Sequence, residues 1–215
     1  MELTRLVGSL SCSIFLVMMA ISAAAQPSDD DSSPPVLDTA GRALERGIEY
    51  YIKPAITDNG GRFTLIDRNG SCPLYVGQEN VSGPDGFPVI FTPFVEGETL
   101  IRENRDTKVV FSATTTCLQS TTWKLAERDA ESGRRLIVTG EIVVTEENQS
   151  WRRAGNFFKI QRTEAGDNIY NIVWCPTEVC NFCRFICGTA GSLVENGKRL
   201  LALDGSVLPV VFERA

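Results

Sequence analysis

The sequence predicts an all-β chain. Short apolar runs, each closed by turn residues, recur about every 8–15 residues, and they do not alternate with helical segments as βαβ units would. Apolar residues make up 43% of the 215, enough to bury a sizeable core, and the length suits one ordinary domain.

The elements follow in chain order. Tyr50-Tyr51-Ile52 is stopped by Pro54, and Arg62-Phe63-Thr64-Leu65-Ile66 ends at Asp67-Arg68-Asn69-Gly70. Leu74-Tyr75-Val76 meets Gly77, and Phe87-Pro88-Val89-Ile90-Phe91 meets Thr92-Pro93. Val109-Val110-Phe111 precedes a Ser/Thr-rich run to Cys117, and Trp123-Lys124-Leu125 is a further short strand. Leu136-Ile137-Val138-Thr139 leads to Gly140, followed by Ile142-Val143-Val144. Two runs, 157–161 and 170–174, read as a hairpin around Glu164-Ala165-Gly166-Asp167-Asn168. Leu193-Val194 turns at Glu195-Asn196-Gly197-Lys198, and 200–203 and 207–212 close the chain, giving roughly a dozen strands. The nearest approach to a helix is Thr39 to Tyr50, which Gly41 and Gly47 weaken.

Composition excludes several functions. The chain contains no histidine, so Ser-His-Asp and Cys-His catalysis and every histidine-ligated metal site are ruled out. The acidic residues show no spacing suggestive of a paired-carboxylate hydrolase. No nucleophile–base set, metal site or cofactor site is apparent, and the chain reads as a non-enzyme. A formal net charge of −6 without a basic stripe makes nucleic acid a poor partner. Arg134-Arg135 and Arg152-Arg153 read as solvated hairpin ends.

The first residues read as an export address. Arg5 supplies a positive start, residues 6–21 are mostly apolar, and Ala23-Ala24-Ala25 offers a small-residue cleavage site, with removal of 1–25 expected. The apolar run is short and broken by Gly8, Ser9, Ser11 and Ser13, which argues against a membrane anchor, and no second long run follows. Residues 26–35 are Gln, Pro, Ser and Asp, expected to form a flexible mature N-terminus. The product is expected in the apoplast or another extracellular space, or in a vacuole, as a monomer. Sequons at Asn80, Asn148 and Asn69 fit that route, Asn69 standing close to Cys72.

Once Cys12 leaves with the leader, six cysteines remain, and an even number in an exported chain reads as three disulfides. Six cysteines allow 15 pairings. The Cys180-Asn181-Phe182-Cys183 sequence has two rival readings. A zinc knuckle would space its Cys-x-x-Cys pairs farther apart, and a thioredoxin-like site would need a helix start after a strand.

Val36-Leu37-Asp38-Thr39-Ala40-Gly41-Arg42-Ala43-Leu44 with Tyr50-Tyr51-Ile52, then Cys72-Pro73-Leu74, then Asn156-Phe157-Phe158-Lys159-Ile160 carry a resemblance to the plant Kunitz-type (soybean trypsin inhibitor) family. It continues through Tyr170-Asn171-Ile172-Val173-Trp174-Cys175-Pro176, Gly197-Lys198-Arg199-Leu200-Leu201-Ala202-Leu203 and Pro209-Val210-Val211-Phe212, spanning residues 36–215. The cluster from Cys175 to Cys187 is most similar to the miraculin-like branch. The resemblance implies a disulfide-braced β-trefoil of about twelve short strands, a pseudo-threefold barrel with a hairpin cap. It also implies the pairs Cys72–Cys117, Cys175–Cys187 and Cys180–Cys183.

By the same resemblance the function is inhibition of an endopeptidase through one rigid, substrate-like loop. It places that loop at Thr92, Pro93, Phe94, Val95, Glu96 and Gly97, with Val95 as the specificity residue, Val95–Glu96 as the would-be scissile bond and Arg46 as support. Valine suits a small apolar pocket rather than the acidic floor of a trypsin-type pocket, so strong trypsin inhibition is not expected; elastase-, subtilisin- or papain-like enzymes are the expected targets. The alternative is a non-inhibitory binding or storage trefoil. A third reading, a ricin-type lectin, would need a repeated Gln-x-Trp, and only Gln149-Ser150-Trp151 is present.

Overall fold

A computed structural model describes residues 33–56, 58–143 and 150–215. The expected leader, the greater part of the N-terminal segment, and Asn148 and Gln149 lie outside these residues.

Twelve strands form: β1 Glu49–Pro54, β2 Phe63–Ile66, β3 Tyr75–Gln78, β4 Val89–Pro93, β5 Thr107–Phe111, β6 Trp123–Arg128, β7 Arg135–Thr139, β8 Lys159–Arg162, β9 Tyr170–Trp174, β10 Gly188–Glu195, β11 Lys198–Leu203 and β12 Val210–Arg214. Among the described residues, one short helix, α1 (Ser150–Arg153), runs into a 3-10 turn at Ala154–Asn156.

The pairings reveal a threefold plan. β1 pairs with β4, β4 with β5, β8 with β9, β9 with β12 and β12 with β1, all antiparallel. A two-way bond between Thr107 and Phe158 joins β5 to the start of β8 and closes the six-stranded barrel. The hairpins β2–β3, β6–β7 and β10–β11 form a cap in which β3, β7 and β11 pair mutually. Strands β1–β4, β5–β8 and β9–β12 are therefore three equivalent lobes. This is a β-trefoil.

Alternation selects the inward residues. In β4 and β5, Val89, Phe91, Val109 and Phe111 are buried and their neighbours are not. The core is aromatic at its centre. Phe91 meets Phe212 edge-on at 5.6 Å, Trp123 stacks on Phe63 at 5.9 Å, and Trp123 meets Phe158 edge-on at 6.0 Å.

The cap is pinned by one guanidinium. Arg68, in the β2–β3 connection, is buried and donates to both oxygens of Glu195 at 2.7 Å and to both of Asp129 at 2.8 and 3.3 Å. Hydrogen bonds from Arg68 and then Ser132 hold the Asp129 carboxyl well below the usual carboxylate range.

Several expectations are corrected. The Thr39–Tyr50 segment is not helical, because Gly41 and Gly47 adopt φ of +77° and +79° and make turns. Ile142-Val143 is not a strand; the buried Asn156 side chain bonds both the N–H and the C=O of Ile142. Arg134 and Arg135 are not solvated ends: Arg134 donates to the Leu203 carbonyl, and Arg135 forks onto Asp204 at 2.8 and 3.0 Å. Arg152 and Arg153 belong to α1, not to a hairpin. Order also begins before Val36: the carbonyls of Ser33 and Pro34 accept bonds from the Arg102 side chain and the Glu103 N–H, so 33–35 are tied down rather than flexible.

Candidate functional site

The β4–β5 connection, residues 94–106, holds most of the expected site. Its base is closed by Phe94 N–H donating to the Asp106 carbonyl at 2.8 Å, continuing the pairing of Pro93 with Thr107. Its far half is zipped onto the N-terminal segment. Val36 N–H donates to Ile101 O, Ile101 N–H to Leu44 O, and Arg46 N–H to Thr99 O at 2.7 Å. Ile101, Leu44 and Val36 are buried together under this zip.

The six expected loop residues are brought into one stretch, but not as one extended exposed run. Thr92 and Pro93 belong to β4, and Pro93 is buried. Phe94 is half-buried, edge-on to Phe157 at 5.4 Å, beneath the Arg153 guanidinium. Only Val95, Glu96 and Gly97 are exposed, Val95 by 40%. The tip bends back on itself: Glu98 N–H donates to Val95 O at 3.4 Å, and Gly97 takes φ +84°, which glycine tolerates. Arg46 meets the connection through its main chain, while its side chain is exposed.

A clasp unnoticed in the sequence secures the base. The Asp106 carboxylate accepts the N–H groups of Glu178 and Val179 at 2.8 and 3.0 Å and faces Lys159 at 3.5 Å. Reciprocally, Glu178 accepts the Asp106 N–H at 2.7 Å and pairs with Arg105. Burial nevertheless pushes the Asp106 carboxyl above its ordinary value, outweighing these bonds and the Lys159 charge. Nothing local in the sequence marks this clasp, because its two carboxylates lie 72 residues apart. Beside the connection opens a cleft of about 430 Å³, lined by Thr92, Phe94, Lys108, Ile142, Arg153 and Phe157.

Disulfides join Cys72 to Cys117, Cys175 to Cys187 and Cys180 to Cys183, the pairs the resemblance implies. The four thiols of 175–187 are thereby consumed in two crosslinks. Asn69 and Asn80 are exposed, and the Asn80 amide donates to Gly197 O at 2.9 Å. Ser150 opens α1, so the lone Gln-x-Trp sequence runs from outside the described residues into a helix.

The family model described as Kunitz legume, trypsin and protease inhibitor, matches residues 36–214. The chain belongs to the Kunitz-type trypsin and protease inhibitor family. Among its relatives, Kunitz type trypsin inhibitor 104 of Medicago truncatula is 52% identical over 181 residues, covering 83% of this chain and 87% of the relative. Miraculin of Synsepalum dulcificum is 35% identical, covering 95% and 94%. Among solved Kunitz-type structures, a cysteine protease inhibitor from potato superposes with a TM-score of 0.71 at 30% identity, covering 85% of this chain and 98% of that one.

Proposed function

We propose that the chain is an exported peptidase inhibitor, not an enzyme, that presents the β4–β5 connection to the active-site cleft of an endopeptidase. The observation that carries this reading is the anchoring of that connection. Main-chain bonds along 33–46 and the Asp106–Glu178 clasp hold both arms, and the tip 95–97 is exposed. A loop ordered before binding loses little entropy on binding. Family membership and the inhibitors among the relatives support the same reading.

Val95 is the contact residue in this scheme. Its small aliphatic side chain fits an elastase-like pocket, and it has no charge to meet the acidic floor of a trypsin-type pocket. The chain acts outside the cytosol as a monomer, after loss of residues 1–25, with glycans on the Asn80 and Asn148 sequons. A Val95→Arg variant tests the site. It should gain trypsin inhibition while keeping the wild-type urea midpoint; an intact fold with no gain would count against the segment.

One observation favours the alternative, a non-inhibitory trefoil. The Val95–Glu98 turn uses the Val95 carbonyl internally and bends the chain where a substrate would be extended. Titration against elastase-, subtilisin- and papain-type enzymes separates the two readings, and no inhibition across the panel favours the alternative.

A further inference from the structure

A second connection has the properties of a protease-binding loop, and nothing above uses it. β5 and β6 are joined by residues 112–122, Ser-Ala-Thr-Thr-Thr-Cys-Leu-Gln-Ser-Thr-Thr, a run with no charged side chain. Near its middle stands Leu118, whose exposure of 105% exceeds that of every other large apolar residue described. A lone exposed leucine is ordinary on a protein surface. Leu118 is set apart by its neighbour: Cys117 is buried and bonded to Cys72, so the leucine is held out at the end of a covalent anchor.

The rest of the loop is held with few of its main-chain groups spent. At its entrance Ser112 N–H donates to Pro88 O, and at its exit Thr121 Oγ donates to Phe111 O at 2.6 Å. Thr115 Oγ donates to Cys117 O at 3.0 Å, bracing the residue before Leu118. Among the described residues, no main-chain hydrogen bond closes a turn within 113–120, and none of these residues takes a positive φ. The backbone bends through 116–119 with Leu118 exposed inside the bend, and apart from the Cys117 carbonyl the main-chain groups beside it are left for a partner.

We propose that residues 115–120 are a second, independent protease-binding loop, with Leu118 as the side chain that enters the enzyme's primary pocket. A large aliphatic side chain in an uncharged setting fits enzymes with a deep apolar slot, of the chymotrypsin or subtilisin type. The pairing of a single anchor with a pre-ordered frame is how a few residues come to dominate an interface.

The test measures inhibition constants for bovine chymotrypsin, subtilisin and trypsin with the full secreted chain, its Val95→Asp variant without and with Leu118→Asp, and its Leu118→Lys variant, and circular dichroism of each. In the Val95→Asp background, which silences the β4–β5 loop, adding Leu118→Asp should weaken the remaining inhibition of chymotrypsin or subtilisin by about 30-fold or more, the effect of removing a hot-spot anchor. Leu118→Lys should inhibit trypsin where wild type does not. Inhibition in the Val95→Asp background that survives Leu118→Asp overturns the proposal. So does a wild type inactive on both enzymes together with a folded Leu118→Lys variant that leaves trypsin untouched. Inhibition lost through Val95→Asp alone overturns it too, while leaving the β4–β5 reading intact.

Discussion

The β4–β5 and β5–β6 connections leave opposite ends of the same barrel strand, yet they are fixed by different means. The first is sewn down by hydrogen bonds to residues 33–46 and by the Asp106–Glu178 clasp, and its tip folds into a turn. The second carries few main-chain bonds and is held by one disulfide, with its leucine wholly in solvent. Hydrogen bonds that fix a loop also satisfy its backbone, and so use up the groups that an extended partner would need. A crosslink fixes position while leaving those groups free. The two loops are thus held for different reasons, and the second leaves more of its main chain unbonded.

Removing the crosslink breaks the comparison most severely. Cys72→Ser with Cys117→Ser opens a loop with a sequence separation of 45, which the chain-entropy model values at about 4 kcal/mol. The urea midpoint should fall accordingly, and limited proteolysis should cut within 112–122 while sparing 94–106.

Asp106→Ala comes next and acts on the other loop. It leaves Lys159 without its carboxylate and two amides without their acceptor, at a cost of about 3 kcal/mol. Proteolysis should now favour 94–106. The same residue sets a pH signature. Its folded-state value lies above the unfolded one, so the native chain holds the extra proton. The Asp106 contribution to stability is therefore greatest in acid and declines as pH rises from about 4 through the folded value, then stays level. Subtracting the stability–pH curve of Asp106→Asn from that of wild type should expose this downward slope; a rising difference would contradict it. The β5–β6 loop has no titrating side chain and should show no such dependence.

Arg46 gives the smallest and sharpest contrast. Arg46→Pro deletes the N–H that holds Thr99 O and should cost about 1 kcal/mol. Arg46→Ala keeps that N–H and should stay within about 0.5 kcal/mol in urea unfolding.

Local chemistry was the legible part of the fold. Asn196-Gly197 was read as a turn, and both residues take positive φ, +49° and +74°, as a tight hairpin requires. Barrel closure was not legible, because its bonds join residues as distant as Tyr50 and Arg214, for which neither run carries a mark. Misreadings arose where tertiary contacts outweighed local pattern. Ile142-Val143 has strand composition, yet the Asn156 side chain takes up the backbone groups of Ile142 that a strand partner would have used. At the site, the order of residues 92–97 was readable, but the Val95–Glu98 bend was signalled only by Gly97. Leu118 carries no mark inside its Ser/Thr-rich run, because composition says nothing about how far a side chain stands from its neighbours.

Arg68 has a consequence for how the chain finds its register. Three near-alike lobes could in principle be docked in more than one rotational order, since each hairpin offers much the same edge to its neighbours. A single cation, supplied by the first lobe alone and matched by Asp129 of the second and Glu195 of the third, removes that degeneracy. It is the asymmetric key in a symmetric lock, and it ties the three lobes into one cooperative unit.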